Sequence, residues 1–433
     1  MEIKCIKINE MTESVCENNF KVRYMLPGER AEFYNRKNKT ILESDILESS
    51  PNRARVICPI FYECGGCDFL HVKYDEQLRM KESYVKTAYF KGNVFALFLP
   101  IIKNDRPLNY RHKIVASATT EKNKVKLGLY QEGTKKVIPY TSCHIQDLDG
   151  NEVLKTVELV LNKYKMTAYD IDKETGIIKH ILIRKSFAKD EMLLVFVTNG
   201  NLLPNAKKMA QDIIKLHPKV VAVIQNIHHR KTALVLLDEE KILFGSGYIT
   251  DEIDGIKFRL SSKSFYQVNP SQMIKMYKKA LELADIKKTD TVLDAYSGIG
   301  TISLLATKYA KKVIAVETNK TSHQDALFNK KLNQIENVQF FNEDVSKYLE
   351  NYKDKIDVLI MDPTRDGASE DFLKSVLRLL PKKIIYISCE PTTQVRDIKI
   401  ISEKYEVKVC QPVDMFSQTV HVETISLLSL KTS

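Results

Sequence analysis

The chain has 433 residues, 44% of them hydrophobic and 28% charged, with a formal net charge of +11. That length exceeds one ordinary core and points to two or three domains, while the composition excludes a disordered or fibrous chain. The longest apolar run, residues 94–102, is too short to span a bilayer, and the N-terminus lacks a secretory pattern, so the expectation is a soluble, cytoplasmic protein with no membrane partner.

Residues 1–56 read as short strands. Residues 3–8 are an apolar, β-branched run interrupted by lysines, residues 21–25 run into the turn Leu26-Pro27-Gly28-Glu29, and 31–34 and 41–47 fit two more strands. Several short strands in so little chain predict a small β-barrel. The stretch from Cys58 to Cys67 breaks this pattern, and residues 74–86 then read as a helix. From 108 to 260 strand-like runs (113–118, 181–184, 192–198, 220–225) alternate with helical ones, among them the amphipathic 206–216. The expected division is a barrel over 1–56, an α+β central domain over 57–262, with 76–107 free to pack on its neighbour, and a third domain over 263–433.

From residue 263 the rhythm becomes strand, helix, strand, helix. Strands fall at 292–294, 313–316, 338–341, 358–361 and 384–387, with helices at 302–309 and 322–332. This predicts an α/β, Rossmann-like domain with a mostly parallel sheet.

Asp294-Ala295-Tyr296-Ser297-Gly298-Ile299-Gly300-Thr301 lies where a strand gives way to a helix. Its glycines let backbone approach a ligand closely, and the aspartate before them can take a ligand's ammonium group. Glu317 ends the second strand, where an acid can accept ribose hydroxyls. Asp344 follows the third strand, in position to meet an adenine, and Asp362 follows the fourth. The glycines are too few for a dinucleotide fingerprint, and a P-loop ending is lacking. S-Adenosylmethionine needs no phosphate cradle and suits this set better.

Cys389 follows an apolar strand at the same sheet edge, among polar loop residues. Glu423 comes later, near the C-terminus. One chemistry uses both. Carbon 5 of uracil is a poor nucleophile until a thiolate adds to carbon 6. The activated carbon 5 can then take a methyl group, after which a base must remove its proton before the thiol leaves. Arg365 can contribute positive potential or contact the base or phosphate, and the target base must leave its stack.

With those residues in place, the chain resembles the RNA uracil-C5 (5-methyluridine) methyltransferases, most closely the bacterial 23S ribosomal RNA branch. The resemblance rests on Ser264-Phe265-Tyr266-Gln267-Val268-Asn269, the Asp294 loop, Glu317, Asp362-Pro363-x-Arg365-x-Gly367, Ser388-Cys389 and His421-x-Glu423. It implies that Cys389 is the nucleophile and Glu423 the proton acceptor. It also implies cofactor contacts from Gln267, Tyr296, Glu317 and Asp362, with Thr301 aligned to a further one. Three positions depart from the pattern: Glu390 stands where Asn is usual, Thr364 where a second proline is usual, and Ser297 where Cys is frequent. Glu390 is expected to raise the thiol's pKa as a neighbouring like charge.

Cys58, Cys64 and Cys67, two of them bracketing a glycine pair, are followed far downstream by Cys143. Four thiolates suit zinc or a [4Fe-4S] cluster, and spacing leaves both open. The family resemblance implies the [4Fe-4S] cluster, which the ribosomal branch carries. It further implies that the N-terminal segment is TRAM-like, from Leu26-Pro27-Gly28-Glu29 and Ser49-Ser50-Pro51-Asn52-Arg53. Tyr110-Arg111-His112-Lys113 resembles a basic family segment and is expected to hold phosphates. The net reading is a monomeric 23S ribosomal RNA (uracil-C5)-methyltransferase. The alternatives are a transfer RNA methyltransferase and an RNA-binding assembly factor without catalysis. A methyltransferase for the exocyclic adenine nitrogen fits less well, because Thr364-Arg365 offers no stacking ring. A small-molecule methyltransferase leaves the barrel and the charge unexplained.

Overall fold

The computed structural model describes residues 1–9, 13–232 and 234–431. The N-terminal segment is a five-stranded antiparallel sheet ordered Lys21–Arg23, Glu13–Cys16, Glu2–Ile8, Arg30–Glu32, Ile46–Glu48. Its small core is Ile3, Cys5, Cys16, Val22, Met25, Ala31 and Ile41. Residues 41–47, expected as one strand, instead contain the 3-10 turn Glu43–Asp45. The Asp45 carboxylate accepts from the Leu42 backbone N–H and pairs with Arg36, so a local side-chain bond replaces the ladder there. Glu29 and Arg53 form a buried forked ion pair at 2.5 and 2.6 Å, which joins the two turns at the base of this sheet.

The central segment is a seven-stranded sheet ordered Glu240–Phe244, Val220–Ile227, Met192–Thr198, Ile178–Lys185, Lys113–Glu121, Lys124–Tyr130, Val137–Pro139. Met192–Thr198 is buried at every position, and its parallel partner Val220–Ile227 is reached through the helix Ala206–Leu216. Met209, Ala210 and Ile213 on that helix pack onto the sheet, beside the helix Leu148–Lys163. The hairpin Tyr248–Ile253 and Ile256–Ser261 carries the core onward, because Ile249, Ile253, Phe258 and Leu260 pack with Leu193 and Val195 on one side and Met273 and Met276 on the other.

The C-terminal sheet contains β1 (Thr291–Asp294), β2 (Lys312–Val316), β3 (Val338–Phe341), β4 (Val358–Met361), β5 (Lys383–Ser388), β6 (Tyr405–Val413) and β7 (Glu423–Leu430). Their order is β3-β2-β1-β4-β5-β7-β6, with Leu97–Phe98 added outside β6. The first five are parallel, and β7 runs antiparallel between β5 and β6. The apolar runs are buried on both faces, as a sheet covered by crossover helices requires. The order reverses beside β1, and ligands in such sheets sit outside the strand C-termini at that point.

The helix Tyr74–Lys91 is longer than the expected 74–86 and packs on this same sheet through Val85 and Tyr89. Its Lys81 reaches Asp414 at 2.5 Å and the Phe416 carbonyl at 3.0 Å, both groups buried. The cysteine-rich segment grips the same loop: Asp68 and Phe69 donate backbone N–H groups to the Gln418 carbonyl, and the Asp68 carboxylate accepts from the Val420 N–H. Among the described residues, no helix is long and apolar enough to cross a membrane.

Candidate active site

Cys389 occupies the turn between β5 and the helix Pro391–Ile401. Pro391 at the first helical position fixes where that helix begins and keeps Glu390 extended. The Ser388 hydroxyl braces the turn, lying 3.1 Å from both the Glu390 N–H and its carbonyl. The thiol is thereby left half-buried at the sheet edge.

Glu423 opens β7, and the antiparallel ladder ends with Ser388 paired to Thr424, so the chain neighbours of Cys389 and Glu423 are cross-strand partners and the Glu423 charge reaches the thiol. Residues opposite each other in such a pair share one face of the sheet. The Thr424 hydroxyl lies 3.1 Å from the Ser388 carbonyl and 2.8 Å from Gln394 Oε1. The Tyr89 hydroxyl donates to the same Gln394 oxygen at 2.9 Å. This network fixes the two chain neighbours of Cys389 and Glu423 against each other. Burial, and then the charge of Asp362, push the Glu423 carboxyl up to about 8. Burial, Glu423 and Asp362 push the thiol up to about 11, against a smaller opposing pull from Arg365. Both neighbouring acids therefore oppose ionisation of the thiol.

The cofactor crevice forms at the ends of β1, β2 and β4. Asp294 is 1% exposed. One of its oxygens accepts from the Ser303 hydroxyl, the other has no partner, and burial holds the carboxyl up at about 7. The Ser297 hydroxyl is likewise buried and unpartnered. A β-carbon on Gly300 (φ +82°) would lie 2.7 Å from the Phe340 ring, so only glycine lets the loop close on β3. A β-carbon on Gly298 would meet only open space. The Gly298 N–H donates to Glu317 at 2.8 Å, which fixes that carboxylate beside the loop. Asp362 is partly accessible, yet its carboxyl is crowded by protein, and that desolvation and Asp294 push it up to about 7. Tyr296 meets the Phe372 ring edge-on at 5.7 Å, Thr301 opens the next helix, and Gln267 is buried. Asp344 departs from the pattern: it is exposed, and one oxygen caps the helix Val345–Glu350 by accepting from Ser346 and Lys347. Its other oxygen is what it can offer a ligand.

Glu390 behaves differently from the like-charge role expected of it. It caps the helix after Cys389 and accepts from the Tyr84 hydroxyl at 2.7 Å and from Arg365 at 3.2 Å. Burial alone would raise its pKa, but Tyr84, Thr392 and Arg365 together lower it. The anions that raise the thiol are Glu423 and Asp362. One further residue escaped the sequence reading. Tyr277, buried on the helix Pro270–Ala284, has its phenol held far above its usual range by burial and by the charges of Asp362, Asp294 and Glu423. A buried tyrosine on an amphipathic helix reads as core, so it carried no usable signal. Phe265, in the segment that the resemblance singled out but given no role there, leaves 62% of itself exposed.

Cys58, Cys64, Cys67 and Cys143 line one cavity of about 220 Å³ with Arg111 and His144. All four are free thiols, and burial is the leading cause pushing each upward. Among the described residues, no three His, Cys, Asp or Glu side chains gather tightly enough to hold a single ion. The basic tract nearby is not a solvated face: Tyr110 is buried, Arg111 turns into the cysteine cavity, and burial with Arg184 and Arg111 lowers Lys113 to about 8. The His112 N–H donates to the Val268 carbonyl and ties the tract to the Gln267 segment.

Comparison with known proteins gives a consistent result. The profile of the family described as tRNA (uracil-5-)-methyltransferase matches residues 73–431. An uncharacterized RNA methyltransferase of Halalkalibacterium halodurans is 36% identical over 393 residues, covering 89% of this chain and 86% of its own. Another, from Bacillus cereus, is 34% identical and covers 94% and 92%. Among solved structures, the Pyrococcus abyssi tRNA (uracil-54, C5)-methyltransferase in complex with S-adenosyl-L-homocysteine superposes with a TM-score of 0.80. It covers 98% of this chain and 99% of its own at 23% identity, a likeness of fold.

Proposed function

The chain belongs to the tRNA (uracil-5-)-methyltransferase family, and from that premise we propose that it methylates carbon 5 of a specific uridine in 23S ribosomal RNA through a covalent Cys389 adduct. The observation that supports the mechanism is that the β5–β7 ladder ends at the pair Ser388 and Thr424, one residue from Cys389 and one from Glu423, with the Glu423 charge acting on the thiol. Cys389 releases its thiol proton to solvent and adds as the thiolate to carbon 6, forming an S–C6 bond and moving the C5=C6 electron pair toward the carbon 4 oxygen. Carbon 5 then takes the methyl group that bound S-adenosylmethionine supplies. Glu423 removes the carbon 5 proton, the C5=C6 bond reforms, and the S–C6 bond breaks to release the thiolate, which takes a proton from solvent to restore the thiol.

Asp294, with its unpartnered oxygen, receives the cofactor's ammonium group, and Glu317 receives its ribose hydroxyls. Gln267, Tyr296, Thr301, Asp344 and Asp362 complete the pocket. Positive charge entering a crevice walled by Asp294, Asp362 and Glu423 lowers the cost of every anion there. Arg365, mostly exposed beside Glu390, meets the substrate's phosphate or base. A base flipped from its stack finds an exposed ring in Phe265.

Cys58, Cys64, Cys67 and Cys143 hold a [4Fe-4S] cluster in this proposal. The support is a cavity of about 220 Å³ lined by all four thiols, a ligand set that a cluster or zinc accepts and that the family resemblance assigns to the cluster. Arg111 on its wall offsets the negative charge of four thiolates. The N-terminal sheet is the TRAM-like RNA-binding barrel, and the chain acts as a cytoplasmic monomer. Transfer RNA remains the second reading, favoured by the family's own description and by the substrate of the Pyrococcus abyssi enzyme. The test is incubation with labelled cofactor and unmodified 23S RNA or transfer RNA transcripts, followed by mapping of 5-methyluridine. Label in one 23S uridine supports the first reading, label in transfer RNA supports the second, and label in neither sinks both.

A further inference from the structure

A large concavity lies outside the catalytic crevice and shares no residue with it. It encloses about 1140 Å³ at one end of the seven-stranded sheet, under the loops around residues 135 and 231. Five cations line it: Lys135, Lys136, Lys179, Arg230 and Lys231. Lys231 is paired with Glu174, but among the described residues the other four have no carboxylate partner. Of these, Lys179 is the sharpest case. It is 7% exposed, its ammonium lies 4.4 Å from the Tyr169 ring centroid, and its polar contacts are His228 Nδ1 and the Arg230 carbonyl, each at 3.2 Å. A buried ammonium with no carboxylate beside it is stabilised by any anion that reaches the cleft. Of the three acids on the walls, Asp170 is already occupied by Lys173 and by the N–H groups of its own turn.

The cleft is not isolated. Tyr130 and Lys135 also line a shallower hollow with Cys64, Gly65 and Gly66, so the concave surface continues to the rim of the cysteine cavity. Tyr130 is 48% exposed there and offers a ring on which a base can stack. At its other end the strand Ile178–Lys185 reaches the catalytic segment, where Arg184 donates to the Ser264 carbonyl at 2.6 Å. Five residues of strand, at about 3.3 Å each, separate Lys179 from Arg184.

We propose that this cleft is a second contact site for RNA, taking the phosphates of a strand that lies beyond the nucleotide being methylated. The identity of the ligand rests on the RNA-methylation reading above, and ribosomal and transfer RNA share the chemistry it recognises. Contacts this far from the reacting base leave the chemical step alone and select substrates by the shape of their flanking RNA.

The test uses the full chain with K135A/K136A/R230A, three exposed cations whose loss exposes no core. A control, K207A/K208A/K215A, removes equal charge from the outer face of the helix Ala206–Leu216. Filter binding is measured across about 50–200 mM salt against a ribosomal RNA fragment and a transfer RNA transcript, with S-adenosylhomocysteine binding as the check on folding. The cleft variant is expected to lose about tenfold or more in affinity for at least one RNA, with a salt slope shallower by about 2, while the control stays within about twofold. KM for that RNA rises and kcat holds. The RNA affected identifies the source. If the cleft variant binds both RNAs as the parent and control do, the proposal is overturned. Because the readout is binding, a parent that binds RNA without forming 5-methyluridine sinks the proposed reaction and leaves the cleft to be judged on its own result.

Discussion

Two buried aspartates in the catalytic region are treated in opposite ways. Asp414 is fully buried, and its oxygens are met by Lys81 at 2.5 Å, Tyr74 at 2.7 Å and Ser417 at 2.5 Å. Asp294 is as deeply buried but has one hydroxyl and an unpartnered oxygen, and its pKa sits at about 7. The first arrangement is scaffold: it pins the loop 414–421 that leads into Glu423 to the helix Tyr74–Lys91. The second is a place kept for a ligand. A buried carboxylate with a missing partner costs stability, and it persists where binding supplies what folding does not.

The comparison can be broken most forcefully at Lys81. Lys81→Met leaves Asp414 buried and uncompensated, and should cost about 3–5 kcal/mol in urea denaturation of the full chain. Asp294→Asn should do the reverse, leaving the denaturation midpoint unchanged or higher while weakening S-adenosylhomocysteine binding by roughly 10- to 100-fold in calorimetry, the value of a charge-assisted hydrogen bond of about 1.5–3 kcal/mol. A midpoint loss in Asp294→Asn equal to that in Lys81→Met would erase the distinction. The same pair can be sharpened with pH. Asp294 is held above its unfolded pKa, so the native protein binds more protons than the unfolded chain between about pH 4 and 7. Its contribution to stability is therefore present at low pH and lost as pH rises through about 7. Ligand binding runs the other way: the ammonium group needs the carboxylate, so affinity should fall by up to about tenfold per pH unit below 7, and that slope should become shallower in Asp294→Asn, where Asp362 alone still titrates. The smallest effect is expected from Tyr84→Phe, which removes one bond to Glu390. It should cost about 1 kcal/mol and change turnover less than about twofold, since Glu390 serves the helix cap and not the thiol.

Much of the fold was legible because its signals are local. The strands β1 to β5 are short apolar runs bounded by turn residues, and the helix 206–216 falls where its period puts it. The candidate site was legible as a set of residue types at strand ends. What could not be read was adjacency. Nothing local says that β7 inserts antiparallel between β5 and β6, yet that pairing brings residue 423 to residue 389. The helix Tyr74–Lys91 has weak amphipathicity, so its buried Lys81 and Tyr89, whose partners lie more than 300 residues away, gave no period to detect. Glu390 misled for a related reason. Its charge was visible, but the Tyr84 hydroxyl and the helix N-terminus that absorb it were not. The strand expected at 41–47 failed because Asp45 offered the backbone a local alternative.

The central claim is that Cys389 and Glu423 act on the two adjacent carbons of one ring. It is tested most directly by mass spectrometry of Glu423→Gln incubated with substrate RNA and S-adenosylmethionine. Without the base, addition and methyl transfer go forward but the carbon 5 proton stays, so a covalent protein–RNA adduct carrying the new methyl group should accumulate and map to Cys389, and it should be absent from Cys389→Ala. Full turnover by Glu423→Gln without an adduct, or an adduct on any other residue, would contradict the account.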